Sequence, residues 1–123
     1  MQPYSVLIVE DETLIAQDLR RRLESWGCRV IEICDAAPVA IDLAKSLKPE
    51  LIFMDIRLHG QISGLEAARV IQRDAPSRII FLTANAQVLQ PFIQDSWFKN
   101  CKVISKPASD EAIRQTIAEI FAN

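Results

Sequence analysis

Short apolar runs alternate with stretches of helical period along this chain. Val6-Leu7-Ile8-Val9, Leu51-Ile52-Phe53-Met54 and Ile79-Ile80-Phe81-Leu82 are uninterrupted and bounded by polar groups, the pattern of strands covered on both faces. Arg29-Val30-Ile31-Glu32-Ile33 and Lys102-Val103-Ile104 read as two more strands. Between them, Thr13 to Trp26 carries Ile15, Leu19, Leu23 and Trp26 on one helical stripe, and Gly27 supplies a left-handed stop. Pro38 suits the first turn of a helix with Ala40, Leu43, Ala44 and Leu47, which must end by Lys48, before Pro49.

Ser63-Gly64-Leu65-Glu66 has the spacing of a capping box for a helix to about Asp74, closed by Pro76. A last helix begins near Ser109, with Asp110 and Glu111 in its first turn and an apolar stripe of Ile113, Ile117, Ile120 and Phe121. The stretch from Ala86 to Lys99 is interrupted by Pro91, so a helix there either starts at the proline or bends at it. Its Trp97, Phe98, Val88, Leu89, Phe92 and Ile93 read as core ahead of interface.

This alternation predicts one α/β domain over residues 1–123, a doubly wound five-stranded parallel sheet. A strand order of 2-1-3-4-5 sets the first and third strands side by side at the switch point, with Asp11 and Asp55 at their carboxyl ends, where ligands bind in such sheets. The length, 123 residues with half of them hydrophobic, suits a single core.

Net charge is -2 and the cations are scattered apart from Arg20-Arg21-Arg22, a solvated helix face, so nucleic acid is not an expected partner of this chain alone. Cys28, Cys34 and Cys101 are odd in number, lack Cys-x-x-Cys spacing and lie beside apolar segments, as small hydrophobes in a reducing compartment do. No apolar run reaches the roughly 20 residues needed to span a bilayer. A cytoplasmic protein with no membrane association is expected.

The strands end on chemistry: the first in Glu10-Asp11-Glu12, the third in Asp55, the fourth in Thr83 and the fifth in Ser105-Lys106-Pro107. Glu10, Asp11 and Asp55 drawn together would repel unless protons or a hard cation neutralised them. Mg²⁺ suits oxygen ligands and uses one or two carboxylates plus a phosphate oxygen. A carboxylate can itself accept a phosphoryl group, and Lys106 and Thr83 supply an ammonium and a hydroxyl for its oxygens.

In these residues the chain resembles the receiver domain of two-component response regulators, with its flavodoxin-like fold, over essentially its whole length: Glu10-Asp11, Asp55 in Met-Asp-Ile-Arg-Leu, Thr83-Ala84 and Lys106-Pro107. The resemblance implies that Asp55 accepts a phosphoryl group from a phosphohistidine on a sensor histidine kinase or histidine phosphotransfer protein. It implies that Asp11, Asp55 and the main-chain carbonyl of Arg57 bind Mg²⁺, with Glu10 acting through water, and that Thr83 and Lys106 hold the phosphoryl oxygens. Thr83 and an aromatic on the fifth strand would then reshape the face of the fourth helix, fifth strand and fifth helix for a downstream protein. A second copy of the chain is another candidate partner.

Departures from the family pattern are Val103 where the aromatic usually stands, His59 in place of a frequent proline, and one extra residue before Gly64. Arg57 and Asn85 fall at positions that, by the resemblance, tune phosphoryl lifetime. The plainer readings are dipole-favouring acids for Glu10-Asp11-Glu12, a strand-end cap for Asp55 and a solvated loop for His59. The rival functions are a phosphorylation-independent binding module and, less favoured, an aspartyl-nucleophile phosphatase, which would usually place Asp-x-Asp after the first strand. Flavin binding is disfavoured by the acidic mouth. The expected protein turns over no external substrate. It is either a stand-alone receiver or part of a longer regulator.

Overall fold

Five runs become strands: β1 (Ser5–Val9), β2 (Arg29–Cys34), β3 (Leu51–Met54), β4 (Arg78–Thr83) and β5 (Cys101–Ser105). The computed structural model describes residues 2–122, and its strands form one parallel sheet in the order β2-β1-β3-β4-β5. The helices are α1 (Thr13–Ser25), α2 (Ala37–Leu47), α3 (Ser63–Asp74) and α4 (Asp110–Ile120).

Alternate residues of the central strands serve opposite faces, as the two-residue period of a strand requires. Leu7, Val9, Ile52, Met54, Ile79 and Phe81 pack with α2 and α3. Val6, Ile8, Leu51, Phe53, Ile80 and Leu82 pack with α1 and α4. The doubly wound sheet expected from the sequence is therefore formed, with its order.

Local signals hold at most boundaries. Gly27 after α1 has φ +95, Lys48 after α2 takes the left-handed conformation, and Ser109 caps α4 by accepting from the Ala112 N–H at 3.0 Å. Ile113, Ile117 and Ile120 of α4 are buried. In α1 the buried stripe is Ala16, Leu19 and Leu23, while Trp26 is half-buried under the Arg114 guanidinium.

Two expectations are corrected. Ser63 is the first residue of α3 and makes no side-chain cap, so the capping box does not form. The Gly64 N–H instead bonds to the Ile56 carbonyl at 3.0 Å, docking the helix start on the end of β3. Between β4 and β5 there is no α-helix, neither starting nor bending at Pro91. Two 3-10 segments, Ala86–Phe92 and Ser96–Asn100, take its place. Pro91 has no N–H to give a helix ladder and disfavours helical geometry in Gln90, so the chain settles on shorter turns such as Val88 N–H to Asn85 O and Phe98 N–H to Asp95 O, both 3.0 Å. The aromatics here are mostly core: Leu89 and Phe98 are buried, Phe98 stacks on Phe81, and Val88, Phe92 and Trp97 pack partly against the same cluster, leaving Ile93 exposed.

Candidate phosphoacceptor site

At the carboxyl end of the sheet the parallel ladder continues one step past each strand. The Glu10 N–H bonds to the Cys34 carbonyl, the Asp55 N–H to the Val9 carbonyl and the Lys106 N–H to the Thr83 carbonyl, at 3.0, 3.1 and 2.9 Å. Strand pairing thus fixes the height at which Glu10, Asp55 and Lys106 leave the sheet.

Their side chains meet. The Lys106 ammonium donates to Glu10 Oε1 at 2.6 Å and to Asp55 Oδ2 at 2.8 Å, with the two carboxylates and the ammonium all largely withdrawn from solvent. Burial alone would lower the Lys106 pKa, but the hydrogen bonds and charges of Asp55 and Glu10 outweigh it and raise the ammonium above its ordinary value, keeping it charged. Burial pushes the Glu10 carboxyl up, against the opposing pull of Lys106 and of the Glu12 N–H, which donates to Glu10 Oε2 at 3.1 Å.

Asp11 stands at the rim. The main-chain N–H of His59 donates to Asp11 Oδ2 at 2.7 Å and is the leading reason its carboxyl lies below the usual range. Carboxylate oxygens of Glu10, Asp11 and Asp55 all lie within 4.8 Å of one another. Three hard oxygen donors so close suit a hard divalent cation, so the donor set fits Mg²⁺.

The remaining expected residues are close by in the fold. Arg57 donates its N–H to Asp55 Oδ1 at 3.3 Å, and its guanidinium turns back to the Gly60 carbonyl at 3.1 Å. Thr83 is fully buried, and its Oγ1 accepts the Asn85 N–H at 3.1 Å.

Sequence reasoning missed three contributors. The N–H groups of His59 and Glu12 hold the acids, and a main-chain donor leaves no mark in residue identity. Gly64 is the third: a Cβ there would lie 1.9 Å from the Asp55 carbonyl oxygen. Its signal was the glycine itself, at the start of a helix where an N-cap pattern offered another explanation.

The family described as "Response regulator receiver domain" matches residues 6–118. The chain belongs to this family. Among its relatives is the transcriptional regulatory protein YvrH of Bacillus subtilis, 38% identical over 86 residues, covering 70% of this chain and 36% of YvrH. The solution structure of the Erythrobacter litoralis PhyR response regulator REC domain is similar over 100% of this chain and 95% of that one, with TM-score 0.85 and 28% identity. An anti-anti-sigma factor PhyR variant from Bartonella quintana matches 97% of this chain and 48% of its own, with TM-score 0.80 and 28% identity. The chain spans about half or less of the length of the curated relatives it matches.

As a receiver domain, the chain carries its acidic cluster where β1 and β3 lie side by side. Val103, half-buried on β5 opposite Phe81, occupies the position expected of an aromatic. Among the described residues no helix is long and apolar enough to cross a membrane.

Proposed function

We propose that this receiver domain is a phosphoacceptor switch of a two-component phosphorelay, in which Asp55 takes a phosphoryl group from a phosphohistidine on a sensor histidine kinase or histidine phosphotransfer protein. The observation that carries this reading is Lys106, whose ammonium reaches the Asp55 carboxylate at 2.8 Å while anchored on Glu10. In the transfer an Asp55 oxygen forms a bond to phosphorus as the nitrogen–phosphorus bond of the donor breaks. The imidazole keeps that electron pair and takes a proton from solvent.

Asp55 and Asp11, with the Arg57 carbonyl, would hold Mg²⁺, and Glu10 would contact it through water. Bound there, the ion supplies positive charge against the acids and the phosphoryl oxygens. Lys106 is already aimed at the acceptor, so it can pair with a new phosphoryl oxygen without a large search, and the Thr83 hydroxyl is the second donor. An apolar groove of about 530 Å³ lined by Leu14, Ile15, Leu82 and Pro107 reaches Lys106, the residue that touches the acceptor, and would offer a protein donor a seat on that side. The only turnover is hydrolysis of the domain's own acyl phosphate, and the setting is the cytoplasm. The likeness to the Bartonella anti-anti-sigma factor supports output through contact with another protein.

Incubation with acetyl phosphate and Mg²⁺ is expected to add one phosphoryl group, detected by intact mass, and Asp55→Asn is expected to abolish it. Equal labelling of Asp55→Asn would remove Asp55 from the role. Val103 favours one rival, a module that binds its partner without phosphorylation; that reading gains if the wild-type chain takes no label while it retains Mg²⁺ binding.

A further inference from the structure

The segment between Asp55 and α3 closes on itself. Leu58 and Gln61 exchange both main-chain hydrogen bonds, at 2.8 and 3.0 Å, and the two residues between them, His59 and Gly60, have φ of +52 and +79. Paired flanks around two consecutive left-handed residues mark a type I′ turn. Leu58 roots it in the core, while His59 and Gly60 are exposed.

This turn touches two other loops of the mouth. The His59 N–H holds Asp11 Oδ2, from the loop after β1, and the imidazole Nε2 lies 3.4 Å from Asp35 Oδ2, from the loop after β2. Arg57 ties the tip back by donating to the Gly60 carbonyl. The Asp11 bond comes from main chain, so it depends on the turn's backbone and not on the imidazole.

We propose that the His59–Gly60 turn is a positioning element for Asp11: its main-chain N–H commits one carboxylate oxygen to the turn, leaves the other for the cation, and so sets the Mg²⁺ affinity of the site. A metal-ligating carboxylate is itself normally held by a hydrogen bond, and loss of such a partner typically weakens metal binding 10- to 100-fold. Among the described residues no ammonium pairs with Asp11 at the rim, unlike Glu10 and Asp55, and the His59 N–H comes ahead of the Glu10 side chain and Asp11's own N–H among the hydrogen bonds that hold its carboxylate. The proposal rests on the reading of the cluster as a Mg²⁺ site.

Gly60 allows a clean test, because a Cβ there meets no described atom within 4 Å beyond its chain neighbours, so a substitution acts chiefly through φ. Valine strains a left-handed backbone, whereas asparagine tolerates it. Calorimetric titration with Mg²⁺ is expected to show binding about tenfold or more weaker in Gly60→Val and within about twofold of wild type in Gly60→Asn. His59→Gly keeps the N–H and the positive φ, and is also expected to bind within about twofold. Equal affinity in Gly60→Val and Gly60→Asn overturns the proposal and leaves the Mg²⁺ reading intact. Loss of affinity in His59→Gly also overturns it, moving the effect to the imidazole and Asp35. A wild-type chain that binds no Mg²⁺ at tens of millimolar overturns both.

Discussion

Replacing Lys106 with methionine keeps much of the side chain's bulk and removes the charge that two withdrawn carboxylates share. Removing one partner of a buried pair costs about 3–5 kcal/mol because a charge is left uncompensated. Here the carboxylates are only 5% and 9% exposed and the ammonium 14%, so water relieves little of it. Proton uptake by Glu10, which burial already pushes upward, relieves more. We expect Lys106→Met to lose about 3 kcal/mol at pH 7.5, which moves a urea midpoint down by about 1.5 M and the melting temperature by about 12 °C.

The pH dependence has a definite sign. Without Lys106 the Glu10 carboxyl rises further, and a raised acid contributes stability below its ordinary range that is lost as pH climbs through the folded value. The penalty should therefore shrink to less than about half between pH 7.5 and pH 5. In the wild type the raised Lys106 contributes stability at every pH below its ordinary 10.5 and loses it only as pH rises through its folded value, so it adds no slope in that window. Urea unfolding of both proteins at the two pH values, with Lys106→Met/Glu10→Gln expected to recover part of the loss, provides the assay. A midpoint shift below about 0.5 M at pH 7.5, or a penalty equal at both pH values, would refute the counter-ion argument.

Gly64→Ala should cost about 3 kcal/mol in urea unfolding and slow acetyl phosphate labelling, because the new methyl would sit 1.9 Å from the Asp55 carbonyl oxygen and one of the two backbones must yield. A neutral Gly64→Ala would mean that α3 docks less tightly than described. Burial pushes the Cys34 thiol up to about 11 and the Cys101 thiol up to about 12, so both should resist a thiolate-selective reagent at pH 8 in the native protein and react once it is unfolded; rapid native labelling at Cys101, located by mass spectrometry, would contradict its packing. Arg57→Ala should change the decay rate of the Asp55 acyl phosphate several-fold, since it removes a guanidinium from the loop just past the acceptor and frees the Gly60 carbonyl that this guanidinium holds; unchanged decay, followed by loss of label, would exclude a role for the guanidinium.

The sheet was legible because its central strands are buried on both faces and must be continuous apolar runs, while each stops on a polar residue at the mouth. That same rule exposed Glu10, Asp11, Asp55, Thr83 and Lys106 as a set. What stayed hidden was carried by main chain or by long-range crowding. The His59 N–H reaches an acid 48 positions away, and Gly60 was the only letter hinting at a left-handed turn. Pro91 flagged trouble between β4 and β5, but one proline does not say whether a helix bends, restarts or gives way to 3-10 turns.

If the domain switches as proposed, that segment bears on how the signal would leave the site. An α-helix relays a push at one end as a lever, since its turns share one axis and one continuous ladder. The stretch from Ala86 to Asn100 has two short axes joined through Ile93, Gln94 and Asp95, each held by a few i to i+3 bonds. A shift of Thr83 arriving there would be spent within a turn or two, and a more continuous route would run through ring contacts, Phe81 stacked on Phe98 and Phe98 edge-on to Trp97. The output of this domain would then be a change in the local opening equilibrium of one surface stretch, and hydrogen exchange would register it before any displacement of a helix could.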